Sequence, residues 1–208
     1  MKKTILIMLV SVMTLAVVAQ DENRGREIET LFEKGDGLGF YGAFSMGYTT
    51  LDAKDAFSAG GRGGIILGRA LAIGLSGTGF VNDIKYHQIV EGNPLAYSLA
   101  GGYGGLFIEP FIGYKKPVHV SFPILFGGGG LAIIESQGWH GWEPWDPQKQ
   151  DGFMLIEPSV EVEFNFTRYL RVAAFASHRF TTKIDMIATS PKVLNTATVG
   201  LTVKLGMF

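Results

Sequence analysis

The chain has 208 residues, 47% of them hydrophobic and 18% charged, with 18 basic and 19 acidic side chains for a formal net charge of −1, 29 glycines and no cysteine. Such a balance excludes a dedicated nucleic-acid binder, which carries a basic excess on one face, and the lack of Cys excludes thiolate catalysis, disulfide frameworks, Cys-ligated zinc and a lipoprotein anchor. The apolar content excludes disorder, so a glycine share about twice the usual one has to be accommodated within a folded structure.

Residues 1–19 read as a signal peptide. Lys2 and Lys3 precede an apolar run from Ile5 to Val18, and Val17 and Ala19 hold the two positions a signal peptidase inspects, which places cleavage after Ala19. The run is shorter than the roughly 20 residues of a spanning helix. Residues 20–36 form a charged leader with Ile28, Leu31 and Phe32 at helical spacing, and two readings stand: a short amphipathic helix at a membrane interface, or a flexible segment.

Residues 37–208 carry eight segments of period-two alternation, the mark of strands with one apolar face. Leu38, Phe40, Phe44, Met46 and Tyr48 share a face of the first; Phe57, Ala59, Ile65 and Leu67 oppose Ser58, Gly60, Arg62 and Gly64 in the second. Leu71, Ile73, Leu75 and Val81 oppose Ala72, Gly74, Ser76 and Thr78 in the third. Tyr97, Leu99, Tyr103 and Phe107 mark the fourth, where a bulge after Gly104-Gly105 is expected to make the parity ambiguous. In the fifth, Val118, Val120, Phe122, Ile124 and Phe126 oppose His119, Ser121 and Pro123; in the sixth, Ile156, Pro158, Val160, Val162 and Phe164 oppose Glu157, Ser159, Glu161, Glu163 and Asn165. Leu170, Val172, Ala174 and Ala176 oppose Arg171, Phe175, Ser177 and Arg179 in the seventh, and Val199, Leu201, Val203, Leu205 and Met207 oppose Thr198, Gly200, Thr202, Lys204 and Gly206 in the last.

The connections alternate in length. Gly68-Arg69, Lys115-Lys116-Pro117 and Thr167-Arg168-Tyr169 are tight turns, whereas Thr49 to Ala56, Asn82 to Pro94, Glu135 to Gly152 and Thr181 to Asn195 are longer and more polar. An even number of strands with short turns at one end and long loops at the other describes an all-β protein, an eight-stranded antiparallel up-and-down transmembrane β-barrel with turns in the periplasm and loops outside. Large aromatics near the segment ends fit two interfacial girdles, with Phe40, Tyr114, Phe166, Tyr169 and Phe208 toward the turns and Tyr48, Phe57, Phe80, Tyr97, Phe153 and Phe180 toward the loops.

If the apolar faces meet lipid, Arg62, Glu157, Glu161, Glu163, Arg171, Arg179 and Lys204 point into the lumen, where unpaired charge is costly. The expected network has Glu161 and Glu163 meeting Arg171 across the tight turn, with Arg62 and Lys204 adding positive charge. Two readings stand, a lumen plugged by paired charges and a narrow channel for small or apolar solutes opened by Gly60, Gly64, Ala72, Gly74 and Gly200. His119 is placed to cap or to pair with Glu109, and His87 and His140 lie in loops. Ser177-His178 invites comparison with lipid A modifying enzymes, but strand neighbours face opposite ways, so catalysis is not expected. No metal-ligand spacing or phosphate loop is present, and no cofactor is expected. The loop ESQGWHGWEPWDPQKQDG concentrates Trp139, His140, Trp142 and Trp145, either as a surface for an extracellular or outer-membrane protein partner or as a belt among lipopolysaccharide headgroups.

The signal peptide, the GGYGGLFIEPF and PVHVSFPILFGGGG stretches, EPSVEVEFNFTRYLRV and the terminal LTVKLGMF together resemble the small outer-membrane β-barrel proteins of Gram-negative bacteria, above all those of the Bacteroidota. That resemblance implies a monomer inserted in the outer membrane after export, in contact with lipid and lipopolysaccharide, with a structural or loop-mediated interaction role. It also implies that Phe208 belongs to the signal read by the barrel assembly machinery, although Gly206 and Lys204 stand where many such signals carry apolar residues.

Overall fold

A computed structural model describes residues 37–51, 54–82, 97–135, 150–186 and 189–208. The expected signal peptide and leader, at 1–19 and 20–36, lie outside these residues, as do His87 and the loop residues Trp139, His140, Trp142 and Trp145.

The described residues form strands and turns. They are β1 (Gly39–Leu51), β2 (Lys54–Leu67), β3 (Leu71–Asn82), β4 (Tyr97–Ile112), β5 in two parts (Val118–Ser121 and Ile124–Glu135), β6 (Gln150–Asn165), β7 in two parts (Leu170–His178 and Phe180–Thr181) and β8 (Ala197–Met207). The break in β5 falls where Pro123 has no N–H to give. The register runs through it, since Ser121 faces Glu161 and Ile124 faces Pro158. Phe122 N–H still donates to Pro110 O, and Pro123 O accepts from Ser159 N–H. At the break in β7, Ser177 faces Ser159, Thr181 faces Leu155, and Arg179 N–H donates to Thr196 O.

Consecutive strands pair antiparallel, and β1 pairs with β8 from Phe40 opposite Met207 to Thr49 opposite Thr198, so the sheet closes on itself. Crossing from partner to partner, Gly39 leads through Ile66, Ala72, Glu109, Pro123, Ser159, Ser177 and Thr198 back to Thr49, ten residues further along β1. A stagger of this kind tilts the strands about 35–45° and leaves an interior that side chains just fill. The turn between β2 and β3 has Gly68 and Arg69 at φ 56° and 58°, a left-handed pair that lets Ala70 N–H donate back to Leu67 O.

All strands alternate with period two, and in all but β4 the expected apolar face is the outer one; in β4 Leu99, Tyr103 and Phe107 point into the lumen and Leu106 and Ile108 point outward. Phe44, Leu75, Leu106, Val160 and Leu201 are among the exposed apolar side chains, while Glu109, Glu161, Glu163, Arg179 and Lys204 are buried inside. Three expectations change. The connection from Thr49 to Ala56 is a tight hairpin, because Thr50 pairs with Asp55 and Leu51 with Lys54, and the Tyr48 hydroxyl donates to the Asp55 carboxylate across it. No bulge follows Gly104-Gly105. Gly102, Gly104 and Gly105 stand opposite Gly130, Gly128 and Gly127, so the two glycine-rich runs form one paired ribbon without a slip. A Cβ on Gly105 would lie 2.1 Å from Phe126 O, and one on Gly127 2.1 Å from Gly104 O, an approach only glycine permits. Finally, the segment from Thr181 to Asn195 is not simply a polar loop: Ile184, Met186, Val193 and Leu194 are buried in one cluster with Leu51, Leu99 and Leu131 at the loop end.

The aromatics divide in two. Phe40, Phe166 and Tyr169 near the turns and Tyr48, Phe57 and Phe180 near the loops are exposed on the outer surface. Phe80 and Phe153, expected in the outer girdle, are buried in the lumen, because they continue the inward parity of Thr78 and Leu155. Tyr114 and Phe208 are partly buried against the core rather than exposed.

Several inward rings lie over glycines of other strands. A Cβ on Gly64 would sit 2.9 Å from Phe107 Cζ, on Gly101 2.7 Å from Phe80 Cζ, and on Gly200 2.7 Å from Phe175 Cε1 and 2.1 Å from Met46 O. Gly200→Val is therefore expected to abolish the compact, fast-migrating band of the unboiled protein on a gel. Gly63→Val on the outer face, where the nearest atom would be 3.6 Å away, should keep it. Equal behaviour of the two variants would contradict this packing.

Candidate functional site

Parity brings charged side chains from five strands into one layer at the turn end of the lumen. Glu109 on β4 and Glu161 and Glu163 on β6 converge on the Lys204 ammonium of β8, whose Nζ lies 2.5, 2.7 and 2.5 Å from their oxygens. Arg62 on β2 reaches Glu161 at 2.6 Å and Glu109 at 3.5 Å. Arg171 on β7 reaches Glu163 at 3.4 Å. Three carboxylates thus face three basic side chains, and all three carboxylates are buried. The remaining lone pairs are served by neutral donors, since Ser121 Oγ donates to Glu109 at 2.8 Å and the Tyr41 hydroxyl donates to the same carboxylate.

The network differs in detail from the one expected. Arg171 meets Glu163 but not Glu161, because in the β6–β7 register Arg171 stands opposite Asn165, diagonal to Glu163 and a further residue pair from Glu161. Arg62 and Lys204 take Glu161 instead. His119 pairs with Glu163, its direct partner in the β5–β6 ladder, with Nε2 3.1 Å from the carboxylate; the pairing with Glu109 is not made. Glu109 belongs to the centre of the cluster and was reached in the sequence only as a partner for His119. The signal for it was available in Leu106 and Ile108, whose outward parity obliges Glu109 to face in. Lys204 and Arg171 are direct cross-strand neighbours of like charge, and Glu163 holds them together by accepting from both.

Glu109, Glu161 and Glu163 place three carboxylate oxygens around one point, the geometry of a cation site. The Lys204 ammonium takes that point, so the cation is built into the chain and the donor set is already spent. Below this layer Phe208 turns inward, continuing the parity of Lys204 and Gly206. Its ring centroid is 3.7 Å from the Arg171 guanidinium carbon and 5.9 Å from the Tyr41 ring. Above it lies a cavity of about 70 Å³ lined by hydroxyls, among them Ser45, Ser58, Thr78 and Ser177, and by apolar side chains such as Phe107, Leu125 and Phe175. Higher still come Arg179, beside the rings of Phe80 and Tyr103, and apolar side chains that include Leu51, Leu99, Val193 and Leu194.

Glu157 and Arg179, both expected in the charge network, are separate from it: Glu157 accepts from Ser177 Oγ at 2.7 Å. That bond holds Ser177 inside, while His178 is exposed and lies edge-on to Phe180 with centroids 4.5 Å apart, so the two side chains stand on opposite faces of the wall.

The fold is that of small outer-membrane barrels. The chain is similar to the crystal structure of Neisserial surface protein A, at 10% identity and a TM-score of 0.51 over 82% of this chain and 96% of that one. It is also similar to the N-terminal β-barrel domain of Pseudomonas aeruginosa OprF, at 15% identity and a TM-score of 0.50 over 83% and 99% of the two chains. No protein-family model and no curated protein matches the sequence.

Removing one partner of a buried ion cluster costs about 3–5 kcal/mol, because the charges left behind stay desolvated. Lys204→Met is expected to lower stability by roughly that amount in a urea titration of the refolded protein in micelles, with Arg171→Met, at the rim, costing less. Adding Glu163→Gln to Lys204→Met should recover part of the loss by removing one stranded charge. Recovery absent from the double variant would show that Lys204 contributes packing rather than charge.

Proposed function

We propose that the protein is a monomeric outer-membrane barrel with a closed lumen, acting as a structural or interaction protein through its loops. The carrying observation is the buried cluster of Glu109, Glu161 and Glu163 around Lys204, which spans the lumen with side chains from opposite walls and has no exposed carboxylate. Ions crossing it would have to break several charge-assisted bonds in a poorly hydrated space.

The outer surface supports membrane insertion. Between Asp55 and His178 at the loop end and Arg69, Lys115, Lys116 and Arg168 at the turn end, no charged side chain among the described residues points outward. Exposed Phe44, Met46, Leu75, Leu106, Met154, Val160 and Leu201 make a continuous apolar band that water would not tolerate and lipid would solvate. Export with cleavage after Ala19, recognition of the C-terminal strand by the assembly machinery, and contact of the loop end with lipopolysaccharide complete this reading. The loop carrying Trp139, His140, Trp142 and Trp145 is its partner-binding surface, since rigid aromatics give large contact area at low entropic cost.

A second reading, a narrow channel, is favoured by the hydroxyl-lined cavity above the charge layer. Planar-bilayer recording of the refolded protein separates the two: the closed barrel is expected to give no steady conductance, and large steady channels would overturn it. Deleting 139–146 should leave the compact unboiled band intact and abolish capture of an outer-membrane or extracellular partner; undiminished capture would remove the loop from the proposal.

A further inference from the structure

The exposed charges of the barrel are sorted by end. At the loop end both signs are present, Lys183 and Lys192 together with Asp55 and Asp185. At the turn end each of the three turns carries basic side chains and none carries an acidic one: Arg69 between β2 and β3, Lys115 and Lys116 between β4 and β5, and Arg168 between β6 and β7. All of these are exposed, and none makes an ion pair among the described residues. The carboxylates of the adjoining layer, Glu109, Glu161 and Glu163, are turned into the lumen and spent on Lys204, Arg62 and Arg171.

The height of these cations matters as much as their sign. Arg168 stands between the exposed rings of Phe166 and Tyr169, Lys115 and Lys116 between exposed Ile112 and Val118, and Arg69 between exposed Ile65 and Ile73. They therefore sit where the lipid-facing band ends and the turns begin, at the level of the headgroups rather than beyond them. The Lys115 ammonium lies 5.6 Å from the centroid of the Tyr114 ring, an aromatic of the same rim. The group that a membrane presents at this level is a phosphate. Arginine matches its oxygens in pairs, and lysine attracts it as a compact point charge.

We infer that the turn end is a belt for anionic phospholipid headgroups, with Arg69, Lys115, Lys116 and Arg168 gathering net-negative lipid of the periplasmic leaflet around the barrel. This rests on the membrane insertion proposed above and adds to it a lipid class and a leaflet. Charge complementarity selects the occupant. A zwitterionic headgroup brings an ammonium along with its phosphate, so a rim of cations without acidic side chains gains little from it, whereas phosphatidylglycerol brings net charge and no ammonium. Each Lys or Arg near an anionic membrane surface changes binding about fivefold, and the effect fades within a Debye length.

The test uses the full mature chain, refolded into phosphatidylcholine vesicles, with spin-labelled phosphatidylglycerol or spin-labelled phosphatidylcholine as the probe. Lipid held at the protein surface is motionally restricted, and the two restricted fractions give a relative affinity. The native chain is expected to favour phosphatidylglycerol by about twofold averaged over the whole perimeter, and to lose that preference in about 1 M salt. The combined variant Arg69→Gln, Lys115→Gln, Lys116→Gln and Arg168→Gln should lose it while keeping restricted phosphatidylcholine and the compact unboiled band. Should that variant fail to fold, Lys115→Gln with Lys116→Gln should remove part of the preference. The loop-end control Lys183→Gln with Lys192→Gln should retain it, and inorganic phosphate at constant ionic strength should leave it unchanged. A native chain without preference overturns the inference and leaves insertion standing; that result is expected if residues 20–36, with six acidic and three basic side chains, supply the counter-charge. A turn variant that keeps the preference, a loop-end control that loses it, or displacement by free phosphate also overturns it. Absence of restricted lipid of either kind would instead overturn the membrane reading and this inference together.

Discussion

Closure of eight strands with a ten-residue stagger is the constraint from which the other features follow. A ring of that size has an interior about one layer of side chains deep on each wall, so an inward side chain meets those of the opposite wall as well as its neighbours. Outward, the apolar band leaves no place for a charge. Arg62, Glu109, Glu161, Glu163, Arg171 and Lys204 therefore share the little space inside, and desolvation obliges them to find one another. Lys204 is the centre of that arrangement, its ammonium occupying the point that three carboxylates define.

The same narrowness explains the glycines. Large inward rings such as Phe80, Phe107 and Phe175 need wall positions without a Cβ, and Gly101, Gly64 and Gly200 provide them on other strands. The paired runs around Gly104 and Gly128 take this further, bringing two strands closer than any side chain would allow. Part of the glycine excess is thus set by ring position: Gly64, Gly101 and Gly200 stand where a ring from another strand fills the space of a side chain.

Along its axis the lumen is layered by chemistry. Phe208 and Phe111 lie against Arg171 at the turn end, the ion cluster follows, then the cavity, then Arg179 beside the rings of Phe80 and Tyr103, and last apolar side chains contributed partly by Val193 and Leu194. Two of these layers, the ion cluster and the apolar cluster, are buried and tightly contacted, while the space between them is polar and roomier. This layering is what supports the proposal of a closed barrel rather than a pore.

The faces of seven strands were legible in the sequence, because alternation is a local property of an extended backbone: Leu75 and Ser76, or Val162 and Glu163, must point opposite ways whatever else the chain does; in β4 both faces carry apolar residues, and Leu99, Tyr103 and Phe107 proved to be the inward set. The same rule contained Glu109 and Phe80, and both were missed only where proximity to a strand end or to glycines was weighed above parity. Which inward charges touch was not legible. Arg62 and Glu161 are 99 residues apart in sequence and 2.6 Å apart in space, and that meeting depends on the accumulated register of every strand pair around the ring. The inward fold of Ile184 and Leu194, the in-register glycine ribbon and the isolation of Arg179 have the same origin. By itself the sequence determined the two faces of the wall, since each residue's side follows from its neighbours; the tertiary structure alone decided the partners across the lumen, since closure and stagger are properties of the whole ring.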